Sequence, residues 1–72
     1  MHIEWGKRIR RIRREKELTV TGVAKQADIT RQYLNAIERG IYAPSDQVRI
    51  RIAKAIGADP NELFSYDLQD AS

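Results

Sequence analysis

No cysteine occurs among the 72 residues of this chain, and His2 is its only histidine. Disulfides and thiolate zinc sites are therefore excluded, although a domain this small hides only about 60% of the surface its unfolded chain exposes. A lone histidine builds no metal site, so no metal and no cofactor is expected. The chain must hold itself by packing helices or by pairing with a second copy. Charge is unevenly placed along it. All 13 Lys and Arg lie within residues 1–58 against six acidic residues, a balance of +7, whereas Asp59, Glu62, Asp67 and Asp70 give residues 59–72 a balance of −4. A basic body with an acidic end suits a polyanionic partner for the body, although an Arg-rich helix face is also compatible with plain solvation. No apolar run approaches the ~20 residues that cross a bilayer, so no membrane association and a cytoplasmic location are expected.

The periodicity predicts an all-α chain of five helices. Trp5, Ile9 and Ile12 recur at helical spacing between Ile3 and Glu17, surrounded by Lys7, Arg8, Arg10, Arg11, Arg13, Arg14 and Lys16. Thr19 is a suitable N-cap for a second helix over about 20–27 that buries Val23, Ala24 and Ala27. After a tight turn at Asp28-Ile29, Thr30 caps a third helix over about 31–39 that buries Leu34 and Ile37 and ends at Gly40. Ser45 opens a fourth helix that turns Val48, Ile52, Ala53 and Ile56 inward and closes at Gly57. Asp59-Pro60-Asn61-Glu62 is a helix start, and the short fifth helix is apolar through Leu63, Phe64 and Leu68. The whole reads as one domain over residues 1–69, with 70–72 a frayed end.

The segment from Thr19 to Gly40 is the informative one. Two short helices joined by a tight turn form the unit that projects its second helix into the major groove of DNA, and such pairs also occur as plain packing units. With Leu34 and Ile37 inward, Gln32, Asn35, Ala36 and Arg39 turn outward, and Arg31 projects from the helix start. Arg can bridge guanine O6 and N7, Gln or Asn can pair with adenine N6 and N7, and Ala leaves room for a thymine methyl. A merely solvated face more often carries Glu and Lys.

Arg10-Arg11-Ile12-Arg13, Leu18-Thr19, Ala24, Ala27, Ile29-Thr30-Arg31, Tyr33-Leu34, Ile37-Glu38-Arg39-Gly40, Pro44-Ser45, Ala53-Lys54-Ala55-Ile56-Gly57 and Glu62-Leu63-Phe64 resemble, in order and spacing, the Cro/C1 or Xre family of helix-turn-helix repressors. The resemblance spans nearly the whole chain. It implies a compact five-helix, lambda-repressor-like domain that binds double-stranded DNA, commonly as a homodimer on a palindromic operator. It further implies base contacts from Thr30, Arg31, Gln32, Asn35 and Ala36, and phosphate contacts from Thr19, Tyr33, Arg39 and Tyr42. In relatives the equivalent of Glu38 pairs with the equivalent of Arg13, which assigns both residues to the scaffold.

Departures from the family pattern fall around the second helix. Val20 stands where Gln is usual, Gly22 where Glu would complete a capping box with Thr19, and Glu17 and Asp28 where Gly is usual. The latter two must each accept an awkward backbone. The loop Ile41-Tyr42-Ala43 is apolar where relatives are often basic, so the Arg-rich first helix is a candidate for some phosphate contacts. Trp5 shares a face with Ile9 and Ile12 and is expected in core or dimer packing. Leu63, Phe64, Tyr66 and Leu68 either close the core or form a dimer interface, and their density so near the end favours the interface. A regulator of transcription is the leading expectation, and a protein-interaction module such as an antitoxin, with a protein partner, is the alternative. No nucleophile–base pair, carboxylate dyad or phosphate-binding glycine loop is present, so no enzymatic activity is expected.

Overall fold

The apolar spacing at positions 5, 9 and 12 produces a 14-residue helix, α1 (His2–Glu15), in a computed structural model that describes residues 2–64. It is followed by α2 (Val20–Gln26), α3 (Arg31–Glu38), α4 (Asp46–Ile56) and α5 (Pro60–Leu63), and no strand occurs among the described residues. The expected frayed end at 70–72 lies outside them.

Each helix after the first starts on the capping residue its sequence offers. The Thr19 and Thr30 hydroxyl oxygens accept from the Gly22 and Tyr33 N–H at 2.9 and 3.0 Å, and Ser45 and Asp59 accept from Val48 and Asn61. Each cap satisfies a backbone donor that the helix itself cannot reach.

The first four helices also end alike. Leu18, Ile29, Ile41 and Ala58 donate their N–H to the carbonyls of Arg13, Ala24, Ala36 and Ala53, five residues back. This closure needs a left-handed residue just before the donor. Gly40 and Gly57 supply it at φ 80° and 81°, but Glu17 and Asp28 are forced to φ 59°, as their sequence positions predict. Leu18, Ile29 and Ala58 then pack on the core, whereas Ile41 stays exposed.

One core joins all five helices, built from Trp5, Ile9, Ile12, Val23, Ala24, Ala27, Leu34, Ile37, Val48, Ile52, Ala53, Ile56, Leu63 and Phe64. α1 packs on α3 and α5, α2 on α3 and α4, and α4 on α5. Gly6 sets the approach of α1 to α3, because a Cβ there would lie 2.3 Å from the Glu38 carbonyl oxygen. Burial of Leu63 and Phe64 corrects the expectation of a dimer interface at these two positions. α5 has a single apolar face and spends it on its own chain: Leu63 is fully buried, and Phe64 meets Trp5 edge-on with ring centroids 5.3 Å apart. Tyr66 and Leu68, expected in the same interface, lie outside the described residues. No helix among the described residues is long and apolar enough to cross a membrane.

Candidate nucleic-acid interface

Helices α2 and α3 pack together and are joined by Ala27–Thr30, with the left-handed Asp28 making the reversal. Val23 and Ala24 of α2, Ala27 at its end, and Leu34, Ile37 and Glu38 of α3 are buried, the apolar ones in the one core. That fixes which residues of α3 face out. Thr30, Arg31, Gln32, Asn35 and Arg39 are exposed, while Ala36 and Tyr33 are half-buried. The five positions expected to read bases therefore share one surface, with Ala36 at its edge. Of the expected phosphate contacts, Thr19 is exposed at the start of α2, and Tyr42 is 56% exposed in the loop after α3. The Tyr33 and Tyr42 rings lie 6.1 Å apart at 56° to each other, so the loop is anchored on α3 at one margin of the surface.

The first turns of the helices differ in charge. α1, α4 and α5 carry Glu4, Asp46 and Glu62 there, the acidic complement that a helix N-terminus favours, whereas α2 and α3 carry no acid. α3 even starts on a cation, Arg31. Only the helix pair predicted to meet DNA leaves the positive ends of its dipoles unneutralised among the described helices. Each capping threonine accepts a backbone bond through its oxygen, and its hydroxyl hydrogen remains available for donation.

Behind this surface sits a buried ion pair. Arg13 Nε and Nη2 donate to Glu38 Oε2 and Oε1 at 2.8 and 3.1 Å, a bidentate contact in which the Glu38 side chain is 2% exposed. Arg13 Nη1 also donates to the Leu18 carbonyl at 2.9 Å. One guanidinium thus ties the end of α3 to the residue that precedes the α2 cap. The scaffold role expected for Arg13 and Glu38 follows from this geometry. Arg10 adds a second cation, its Nε 3.5 Å from Glu38 Oε1, which sequence reasoning missed.

The basic character of α1 is partly structural. Arg8 donates to the Leu63 carbonyl, and Lys16 Nζ donates to the Ile56 and Gly57 carbonyls, each at 3.0 Å. These cations cap the ends of α5 and α4, where a helix presents its negative end. Lys7, Arg11, Arg14 and Lys16 of this group are exposed, but Lys16 is engaged with the two carbonyls and Arg11 lies 3.8 Å from Glu15. The expectation that the Arg-rich first helix supplies some phosphate contacts is thereby limited to the cations not engaged within the fold. Spacing alone did not reveal these roles, because the carbonyls served lie some 40 or more residues away.

A family model for helix-turn-helix domains matches residues 9–63. Over 64 residues the chain is 41% identical to the ImmF control region 10 kDa protein of Bacillus phage phi105, spanning 89% of this chain and 71% of that protein. It is 42% identical over 62 residues to the immunity repressor protein of the same phage, spanning 86% of this chain but only 43% of the repressor. Among solved structures, the restriction-modification controller protein C.AhdI from Aeromonas hydrophila superposes with a TM-score of 0.85 at 30% identity, covering 88% of this chain and 96% of that one. The clp gene regulator ClgR from Corynebacterium glutamicum shares the fold, with a TM-score of 0.84 at 21% identity over 99% of this chain and 92% of its own. The family match covers α2, α3 and the ion pair behind them, and the chain belongs to the Cro/C1-type helix-turn-helix family of DNA-binding transcriptional regulators.

Proposed function

We propose that the chain is a cytoplasmic repressor that reads the major groove of a palindromic operator as a homodimer. Thr30, Arg31, Gln32, Asn35 and Ala36 touch base edges, and Thr19, Tyr33, Arg39 and Tyr42 hold the flanking phosphates. The observation that carries this reading is the absence of first-turn acids from α2 and α3 alone. A helix start without a carboxylate gives up a stabilising contact of about 0.3–1 kcal/mol and keeps its N–H groups and dipole for an anion. The polar, exposed face of α3 supplies the groups that discriminate bases. The relatives named as an immunity repressor and a restriction-modification controller agree with a role in transcriptional control.

The test sets stability against binding. Thr21 is exposed in the first turn of α2, and Thr21→Glu supplies the missing acid. The variant should melt at the same or a slightly higher temperature than the wild type and yet bind random-sequence duplex more weakly. Unchanged binding by the folded variant would show that the start of α2 does not meet phosphate. A second reading, a module that holds a protein partner, draws on Ile41 and Tyr42, which are 55% and 56% exposed beside α3. If that reading is right, Tyr42→Ser leaves DNA affinity intact.

A further inference from the structure

With Leu63 and Phe64 withdrawn into the core, another apolar residue is open to a second copy. Ile50 is 50% exposed on α4, one of three large hydrophobic side chains so exposed among the described residues. It is flanked along the helix by Asp46 and Lys54, each four residues away and each exposed. At 3.6 residues per turn these three positions lie on one face and span about 12 Å. The face reads acid, apolar, base from its N-terminal to its C-terminal end. Asp46 keeps a contact with Arg49 on its own helix, yet its side chain is 83% exposed and so remains open to another cation.

Such a stripe is self-complementary in one orientation only. Two parallel copies would set acid against acid and base against base. Two antiparallel copies related by a two-fold axis through Ile50 set Asp46 against Lys54 of the other copy at both ends, with the isoleucines in contact between them. This is an isologous interface, in which one patch serves both partners. We propose that the chain pairs with a second copy of itself through antiparallel α4 helices centred on Ile50. The edge of Phe64 and Pro60, which line a shallow depression beside Asp46 and Ile50, form the rim of the contact. The contact is small beside the roughly 1,200–2,000 Å² of a stable interface, so the pair is weak without DNA. The proposal rests on the dimeric reading above and assigns the surface that serves it.

The absence of native cysteine makes a clean test possible. Ile50→Cys puts one thiol on the proposed axis, and Lys25→Cys puts one on exposed α2 as a control. Under mild oxidation the first should form a disulfide-linked dimer at least about tenfold faster than the second, because groups facing across an axis meet at a millimolar effective concentration. In the Ile50→Cys background, Asp46→Lys should slow linkage by opposing like charges, and adding Lys54→Asp should restore it. Circular dichroism confirms that each variant is folded. Linkage at the control rate, or linkage indifferent to the charge exchange, would overturn the proposal. Selection of inverted repeats by the wild type, measured separately, would then show that the dimeric reading survives with its interface elsewhere.

Discussion

Glu38 is the residue on which the fold is most exposed to a single change. Its carboxylate is buried, takes two bonds from Arg13 and has Arg10 at 3.5 Å. Glu38→Ala leaves the Arg13 guanidinium buried without its counter-ion, at a cost of about 3–5 kcal/mol. A domain of this size holds only about 5–15 kcal/mol in all, so the variant should be largely unfolded well below the wild-type melting temperature. A melt unchanged from wild type would remove the pair from the scaffold. Gly6 is a second such point. Its added Cβ would fall 2.3 and 2.5 Å from the Glu38 and Ile37 carbonyl oxygens, which are backbone and cannot swing aside. Gly6→Ala must push α1 off α3, and we expect a loss at or above the usual 1–3 kcal/mol of overpacking, or about 3 kcal/mol, by urea titration.

At the scale of elements, α2 is the shorter helix of the α2–α3 pair and is held between two strained turns. It has seven residues, a glycine at its third position, and left-handed non-glycine residues at Glu17 before it and Asp28 after it. Glu17→Gly relieves about 1–2 kcal/mol of left-handed strain and adds about 0.5–1 kcal/mol of unfolded-state entropy, leaving a net gain of up to about 1.5 kcal/mol. That gain should raise the melting temperature by several degrees, and a lower one would show that the carboxylate makes a contact that outweighs its backbone. The helices themselves were legible in the sequence because their causes are local: Thr19, Thr30, Ser45 and Asp59 announce starts, Gly40 and Gly57 announce ends, and the apolar spacing names the buried faces. The misjudged residues all depend on what meets them across the fold. Leu63 and Phe64 are apolar whether they cover a core or a partner, and only the packing of α5 on α1 and α4 decides between the two. Arg8, Arg10 and Lys16 look like surface charge until the carbonyls and carboxylate they serve are brought beside them.

Over the whole molecule, the charge split and the exposed polar face of α3 make a definite claim about DNA. A dimer that neutralises roughly ten phosphates should lose affinity with salt along a log–log slope near −9, since each phosphate contributes about 0.9. On the proposed reading Arg39, exposed at the end of α3, belongs to that sum. Arg39→Ala removes one such contact from each protomer, so it should weaken binding to all sequences alike and flatten the slope by about 1.8. A loss confined to one base position would instead make Arg39 a base reader.

The most direct test of the central claim is selection of bound duplexes from a random DNA library by the purified chain near physiological salt, repeated with Gln32→Ala. Reading by the exposed face of α3 predicts enrichment of an inverted repeat. In the variant, preference should be lost at one symmetric pair of positions at a cost of about 1–3 kcal/mol per contact, while the rest of the site is retained. A folded protein that enriches no sequence, or a Gln32→Ala variant whose selected site is identical to that of the wild type, would contradict it.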